Sequence, residues 1–558
     1  MGEQQAKVFI LSLDGATFDV IDPLVAQGCM PNIGALISQS VASELESVVP
    51  PVTAPAWTSF MTGKQPNKHG IFDFAAFSES TYSWSINNAS HVQSRTLWQI
   101  LSDKGKRVVV LNLPYTYPTY EVNGILVSGW DAPLSDASFS YPPEISSEIL
   151  QMFPDYKTNL WVSELQPLES DEEFDEFVRR LKTGFEQQAK FALELLQRQP
   201  WDVFMVHFQQ TDWIQHKLWK YIEQACKDPK DDSAPVRETR NCYRRFDELS
   251  GTLLERASGI GATTIVLSDH GFGPLRGSIP ANGYLQKWGY LSTSNQPNSR
   301  LSGLKETIRK SPLKPVAKLY SSVSQAKAKL ERRKTTQKHD SWADNAGEVL
   351  GARGAQWDWS RTKAAAIYAY LTGFVYVNRV GRGLHGVVTP EEYETLVSDL
   401  IRKFRELRHP QTKLPLLQEV VRCSDLYPAI SETVLVPDLA LIPADGYGFS
   451  FSLNDAPSPP SNEGTHRHNG VLIAGGSAIR RPGQDFRPHL VDLAPTVLHL
   501  LDLPVPSDMD GRVLEEILVS SQKVRYEDPG VAAPHATGGY SREESELIEQ
   551  RLKGLGYL

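Results

Sequence analysis

Long apolar runs are missing from this chain of 558 residues, and no stretch approaches the length of a membrane span. The first apolar stretch, Val8–Leu13, is too short for a secretory core, meets Asp14 at its end, and has no small-residue cleavage site behind it. The amino terminus places Ala6 where a myristoylation signal needs Ser or Thr. Cysteine is scarce. Cys29, Cys226, Cys242 and Cys423 stand far apart without a CxxC pair, which excludes a disulfide framework. Reduced thiols and a cytoplasmic setting are expected. Surplus positive charge is lacking too: 57 Lys and Arg against 66 Asp and Glu leave a formal net charge of −9. That balance argues against a nucleic-acid polymer as partner, because phosphate neutralisation needs clustered Lys and Arg.

What the chain does have is an ordinary globular composition, 41% apolar and 22% charged, enough for a large core. Short runs of Val, Ile and Leu alternate with helical patterns, which predicts an α/β fold with a mainly parallel central sheet sandwiched by helices. Strands are expected at Val8–Leu13, Val108–Leu113, Ile125–Ser128, Val203–Phe208, Thr263–Leu267, Leu439–Ile442 and Val471–Ala474. Helices are expected at Thr96–Lys104, Asp171–Gln199 and Pro235–Ser258, and an amphipathic one at Leu490–Leu503. Residues 277–432 differ in character and read as an inserted lid or cap, splitting a catalytic core into 1–276 and 433–519. Its basic segment Arg300–Lys338 carries about a dozen Lys and Arg against two Glu. That segment reads as a solvated insertion, or as a docking arm for an anionic substrate or an acidic membrane surface. Within the insertion, Ala364–Val377 and Pro390–Arg408 suggest a strand-plus-helix unit. Residues 520–558 read as a loose polar tail closed by a docked helix at Ser541–Lys553.

Ligands collect at the carboxyl ends of strands in such sheets. Asp14 ends the first strand. Asp212 and His216 follow Val203–Phe208, four residues apart and so one turn apart on a helix. Asp269 and His270 end the run Thr263–Leu267, and His466 precedes Val471–Ala474. A single Asp at a strand end is commonly a cap or turn former; the coincidence of several is not. Three Asp and three His make two sets of three ligands for divalent cations, zinc or manganese, with positions left open for substrate. A fifth segment, Val48–Gly63, reads as a stiff loop and a short helix, with Thr53 at its N-cap and Pro55 in the first turn. A hydroxyl there meets backbone N–H groups suited to a phosphate, although a Thr in that position can also simply cap the helix.

In this order the segments resemble the alkaline phosphatase superfamily, and especially its type I phosphodiesterase/nucleotide pyrophosphatase branch. The matching motifs are Leu13-Asp-Gly, Met30-Pro-Asn-Ile-Gly-Ala-Leu, Thr53-Ala-Pro-Ala-Trp, Thr62-Gly-Lys-Gln-Pro-Asn-Lys-His-Gly-Ile, Ser268-Asp-His-Gly, Gly464-Thr-His and Val491-Asp-Leu-Ala-Pro-Thr-Val. The whole chain is also similar to a bacterial group of phosphohydrolase/phosphomutase proteins. The resemblance implies an alkaline phosphatase-like core from Leu11 to about Val513. It implies one ion held by Asp212, His216 and His466, and a second by Asp14, Asp269 and His270, with Thr53 facing the second as nucleophile. His468 competes with His466 for that role, and His69 matches a motif without being a ligand.

Three departures bear on substrate. Pyrophosphatase relatives place an Asn soon after His-Gly-Ile, where this chain reads Phe72-Asp73-Phe74, so diester preference stays open. A sulfatase would need Cys or Ser at position 53 and Arg at position 57, where Thr53 and Trp57 stand. Thr53 rather than Ser leans away from phosphomonoesterases and mutases. The expected activity is hydrolysis of phosphate esters, most simply diesters, through a phospho-threonine on two divalent metals. The substrate is expected to be a small phosphate ester or a lipid- or polysaccharide-linked phosphate. A phosphomutase or phosphotransferase on the same site, and a metal-stabilised binding protein without catalysis, are the alternatives.

Overall fold

The computed structural model describes residues 6–78, 80, 82–133, 139–158, 168, 170–293, 357–369, 371–427, 434–530 and 538–555. The basic segment Arg300–Lys338 lies outside the described residues, as do residues 531–537 of the polar tail.

An eight-stranded sheet forms the centre. Its strands in chain order are β1 (Val8–Leu13), β2 (Val41–Glu46), β3 (Val108–Leu113), β4 (Gly124–Ser128), β5 (Ser140–Tyr141), β6 (Val203–Phe208), β7 (Thr263–Leu267) and β8 (Asn469–Gly475). They lie in the order β2-β8-β7-β1-β6-β3-β4-β5. β7, β1, β6, β3 and β4 run parallel, while β8 is antiparallel to both β7 and β2, and β5 is antiparallel to β4. Every residue of β1, β3, β6 and β7 is buried, because both faces of the sheet are covered and neither can be polar. The covering helices include Asp171–Arg198, Gln210–Lys227 and Ala234–Gly259, together with Thr53–Thr62, Leu97–Asp103 and Leu493–Leu500. The expected mainly parallel α/β sheet is therefore present, with antiparallel strands at both edges.

A second sheet of four antiparallel strands, in the order Ala364–Ala369, Thr372–Val377, Leu439–Pro443 and Leu417–Arg422, carries the helix Pro390–Arg405. Val375, Val377, Leu439 and Leu441 pack with Val397, Leu400 and Phe404 of that helix in a separate apolar cluster. The run Leu439–Ile442, expected beside the central strands, thus belongs to the smaller sheet, and the cluster draws on residues on both sides of 432. An apolar run alone does not say which sheet it joins.

Two other expectations are corrected. Leu490–Leu503 is not an amphipathic helix. It is a 3₁₀ turn, Leu490–Asp492, followed by Leu493–Leu500, in which every residue but Leu500 is buried. The polar tail is not loose throughout, since Tyr526–Glu527 pairs in parallel with Val505–Pro506. The last helix, Arg542–Leu555, docks as expected: Ile548 and Leu552 are buried, and Arg551 donates to the carbonyls of Trp130 and Ala132, each at 2.8 Å. Among the described residues no single helix is long and apolar enough to cross a membrane; the pair Phe18–Ala26 and Pro31–Gln39 passes only together and is bent by 106°.

Candidate active site

The three central strands deliver the acidic groups. β1 lies between β6 and β7, with Leu13 opposite Phe208 and Ser12 opposite Leu267, so their carboxyl ends finish side by side. Asp14 follows β1, Asp269 and His270 follow β7, and the helix Gln210–Lys227 begins just after β6 with Asp212 in its first turn. Gly15 turns the chain away at φ +67°, and a Cβ there would lie 2.9 Å from the Phe272 ring. That position needs glycine on both counts. His466 arrives by a different route. Gly271–Pro274 pairs antiparallel with Gly464–Arg467, with Phe272 opposite His466, which stacks the His270 and His466 rings 3.7 Å apart at 15°.

All six predicted ligands converge and are essentially solvent-free. His216 Nε2 lies 3.0 Å from His466 Nε2 and 3.4 Å from Asp212 Oδ1, and His466 Nε2 is 3.3 Å from the same oxygen. His270 Nε2 lies 3.5 Å from Asp14 Oδ1 and 3.4 Å from Asp269 Oδ2. Donor atoms of Asp14, Asp269 and His270 fall within 4.8 Å of one another, and so do those of Asp212, His270 and His466. His270 therefore stands between the two sets rather than in one alone.

These buried groups could hold metal ions. His466 Nδ1 and His270 Nδ1 donate to the carbonyls of Pro51 and Gly271 at 3.1 Å, leaving each Nε2 as the available lone pair. Asp269 Oδ1 accepts from the Gly15 amide at 3.2 Å and Asp14 Oδ2 from the Trp57 indole at 2.8 Å. The second oxygens, Asp14 Oδ1 and Asp269 Oδ2, are buried without a hydrogen-bond partner among the described residues, as are His270 Nε2 and Thr53 Oγ1. Burial raises the Asp14 carboxyl well above the ordinary range, and the nearby Asp269 and Asp212 add to this. Burial raises Asp269 likewise. Burial acts to raise Asp212 too, but His216 and His466 outweigh it and hold that carboxyl low. His270 and His466 are kept neutral chiefly by burial. Clustered carboxylates with vacant oxygens beside neutral imidazoles are a site short of positive charge, and the donor set fits divalent cations.

Thr53 is the first residue of the helix Thr53–Thr62; Val52, not Thr53, occupies the N-cap, and no side chain caps the helix. The hydroxyl is thus not engaged in capping. The two sets grip its segment from both sides: His466 holds the carbonyl of Pro51, and Asp14 accepts from Trp57. His468 stands elsewhere, 40% exposed and 3.5 Å from Glu46. His69 is buried, pairs with Ser59 Oγ at 2.8 Å, and is lowered to about 3 chiefly by burial.

Three residues near the centre did not follow from sequence. Trp57 binds Asp14. His207 lies between Ser12 Oγ and Gln209 Oε1, at 3.1 Å from each, and Gln209 reaches Asp212 at 3.4 Å. His207 could have been noticed as a polar residue inside a continuous apolar strand. Phe72 and Phe74 are core aromatics: Phe72 packs on Phe374 and Tyr427, and Phe74 on Trp130.

A family model described as type I phosphodiesterase / nucleotide pyrophosphatase matches residues 8–471. Among curated proteins no sequence matches. Among solved structures, phosphonoacetate hydrolase from Sinorhizobium meliloti 1021 in complex with phosphonoformate is similar at 14% identity and a TM-score of 0.50, over 89% of this chain and 95% of that one. That likeness concerns the fold. Murine ectonucleotide pyrophosphatase / phosphodiesterase 5 aligns at 13% identity and a TM-score of 0.48, over 92% of this chain and 100% of that one.

Proposed function

Since the chain belongs to the type I phosphodiesterase / nucleotide pyrophosphatase family and is a hydrolase of phosphoric esters, we propose that it works through a phospho-threonine on Thr53. What supports this reading is a buried hydroxyl, unbonded among the described residues, on a segment that both ligand sets hold, His466 through the Pro51 carbonyl and Asp14 through the Trp57 indole. Asp212, His216 and His466 would hold one divalent cation, and Asp14, Asp269 and His270 the other. Zinc or manganese bound there supplies Lewis-acid charge that lowers the pKa of a hydroxyl and neutralises phosphoryl oxygens.

The chain's own residues do the rest. The N-terminus of the helix at Thr53 faces the incoming phosphoryl group with free backbone N–H groups and the positive end of its dipole. Thr53 Oγ1 bonds to phosphorus as the ester's leaving oxygen departs with the hydroxyl proton as an alcohol; water then breaks the Oγ–P bond, its oxygen leaving on the released phosphate and its proton restoring the hydroxyl. Thr53 and all six candidate ligands are buried, which keeps competing solvent from the first step. The substrates proposed are small phosphate esters, diesters first, or phosphates linked to lipid or polysaccharide. The four free thiols support a reducing, cytoplasmic setting as part of the same proposal.

Thr53→Ala is expected to lower turnover of bis(4-nitrophenyl) phosphate on the order of 10³-fold or more while bound metal, measured by elemental analysis, stays constant. A variant that keeps substantial activity removes Thr53 from the mechanism.

A further inference from the structure

Trp57 is fully buried one turn after Thr53, so the indole and the hydroxyl lie on one face of the same helix. Its ring is held edge-on between Phe60, centroids 5.7 Å apart, and His207, centroids 4.9 Å apart. His207 is fixed in turn by Ser12 and Gln209. Packing alone would be met by any large ring, yet this ring spends its single N–H on Asp14 Oδ2 at 2.8 Å. The carboxyl cannot then rotate freely. Oδ2 stays on the helix, and Oδ1 stays unbonded 3.5 Å from His270 Nε2. Asp269 is treated in the same way by the Gly15 amide, so both carboxylates present one vacant oxygen to one place.

We propose that Trp57 is a positioning residue. Its indole N–H locks the Asp14 carboxylate in the rotamer that offers Oδ1 to a divalent cation, and it ties that ligand to the helix bearing Thr53. The inference rests on the metal reading above. Hydrogen bonds to a ligand carboxylate orient it and tune its basicity, and losing one costs about 10- to 100-fold in metal affinity. The effect belongs to the set of Asp14, Asp269 and His270. The set of Asp212, His216 and His466 lies outside it.

The test replaces Trp57 with 3-benzothienylalanine, which keeps the shape and puts sulfur in place of the N–H, and separately makes Trp57→Phe. Metal-free protein is titrated with zinc by calorimetry in two backgrounds: His216→Ala, which spares the Asp14 set, and Asp269→Ala, which spares the other. The sulfur isostere should weaken zinc binding about 10- to 100-fold in the first background and leave the second unchanged. The melting temperature of the metal-free protein should stay the same. Trp57→Phe should repeat that pattern with a lower melting temperature from lost packing. Unchanged binding in both backgrounds overturns the role of Trp57 while the metal reading stands, and so does equal weakening in both. An unsubstituted protein that binds no zinc, manganese or other divalent ion overturns the metal reading and this inference together.

Discussion

Buried carboxylates occur at the ends of the central strands and in the smaller sheet, and they are treated in opposite ways. In the smaller sheet, Asp438 Oδ2 accepts from the Val377 amide at 2.7 Å and Arg382 at 2.9 Å, and Oδ1 from Tyr393 at 2.8 Å. Every lone pair that matters has a donor, and a charge is returned for a charge. At the strand ends, Asp14 and Asp269 each keep one oxygen unbonded, with no Lys or Arg in ion-pair contact among the described residues. Burial costs several kcal/mol for an unmatched charge, so the second arrangement persists only where a cation or substrate completes it. The lesson is that unsatisfied oxygens clustered against neutral imidazoles, rather than burial or one unbonded oxygen alone, mark a candidate working carboxylate, since Asp131 Oδ1 is also buried and unbonded among the described residues.

The contrast can be broken by substitution. The largest effect is expected from Asp269→Asn, which should cut turnover roughly 10³-fold, the equivalent of several kcal/mol of charge stabilisation, with the metal-free protein melting no lower. A variant that melts much lower but retains activity would reverse the assignment. In the smaller sheet the opposite holds. Asp438→Ala removes the carboxylate that Arg382, the Val377 amide and the Tyr393 hydroxyl all donate to, and should lower unfolding stability by about 3–5 kcal/mol in denaturant titrations, with zinc affinity unchanged. Removing divalent ions with a chelator should abolish activity, restore it on adding zinc or manganese, and lower stability by about 2.7 kcal/mol relative to protein held at 100 times the dissociation constant.

A third kind of buried acid sharpens the contrast through pH. Asp131, beside the docked C-terminal helix, is raised from 3.8 to about 7, mainly by burial. The folded state therefore keeps a proton that the unfolded chain releases. Its contribution to stability is complete below about pH 4 and is lost as pH rises through 7. Asp131→Asn should flatten the decline in melting temperature between those values and leave phosphodiesterase activity alone. A slope unchanged in the variant would assign the pH dependence elsewhere.

Much of the fold was legible because parallel strands covered on both faces need near-continuous apolar sequence. Val8–Leu13, Val108–Leu113, Val203–Phe208 and Thr263–Leu267 match the observed strands end to end for that reason. β2 was not foreseen, since only Val41 and Leu45 of Val41–Glu46 are buried and the strand carries Ser43, Glu44 and Glu46 at an edge. Asp14, Asp269 and His270 could be named because each sits where an apolar strand stops abruptly, Asp212 and His216 by their four-residue spacing after β6, and His466 by the motif Gly464-Thr-His ahead of a strand. Trp57 and Gln209 could not, and His207 left only the faint signal of a polar residue inside an apolar strand. An indole N–H announces no partner in sequence, and Trp57 and Asp14 are 43 residues apart.

Local chemistry along the chain, then, determined which segments become central strands, where each ends in an Asp or His, and which hydroxyl opens a helix. Those properties depend on short-range periodicity and residue type. Only the tertiary structure decided that β1 lies between β6 and β7, that His466 stacks on His270, and that Leu439–Pro443 joins the other sheet. Each of those is a choice among pairings that look alike from one strand, settled by packing between residues distant in the sequence.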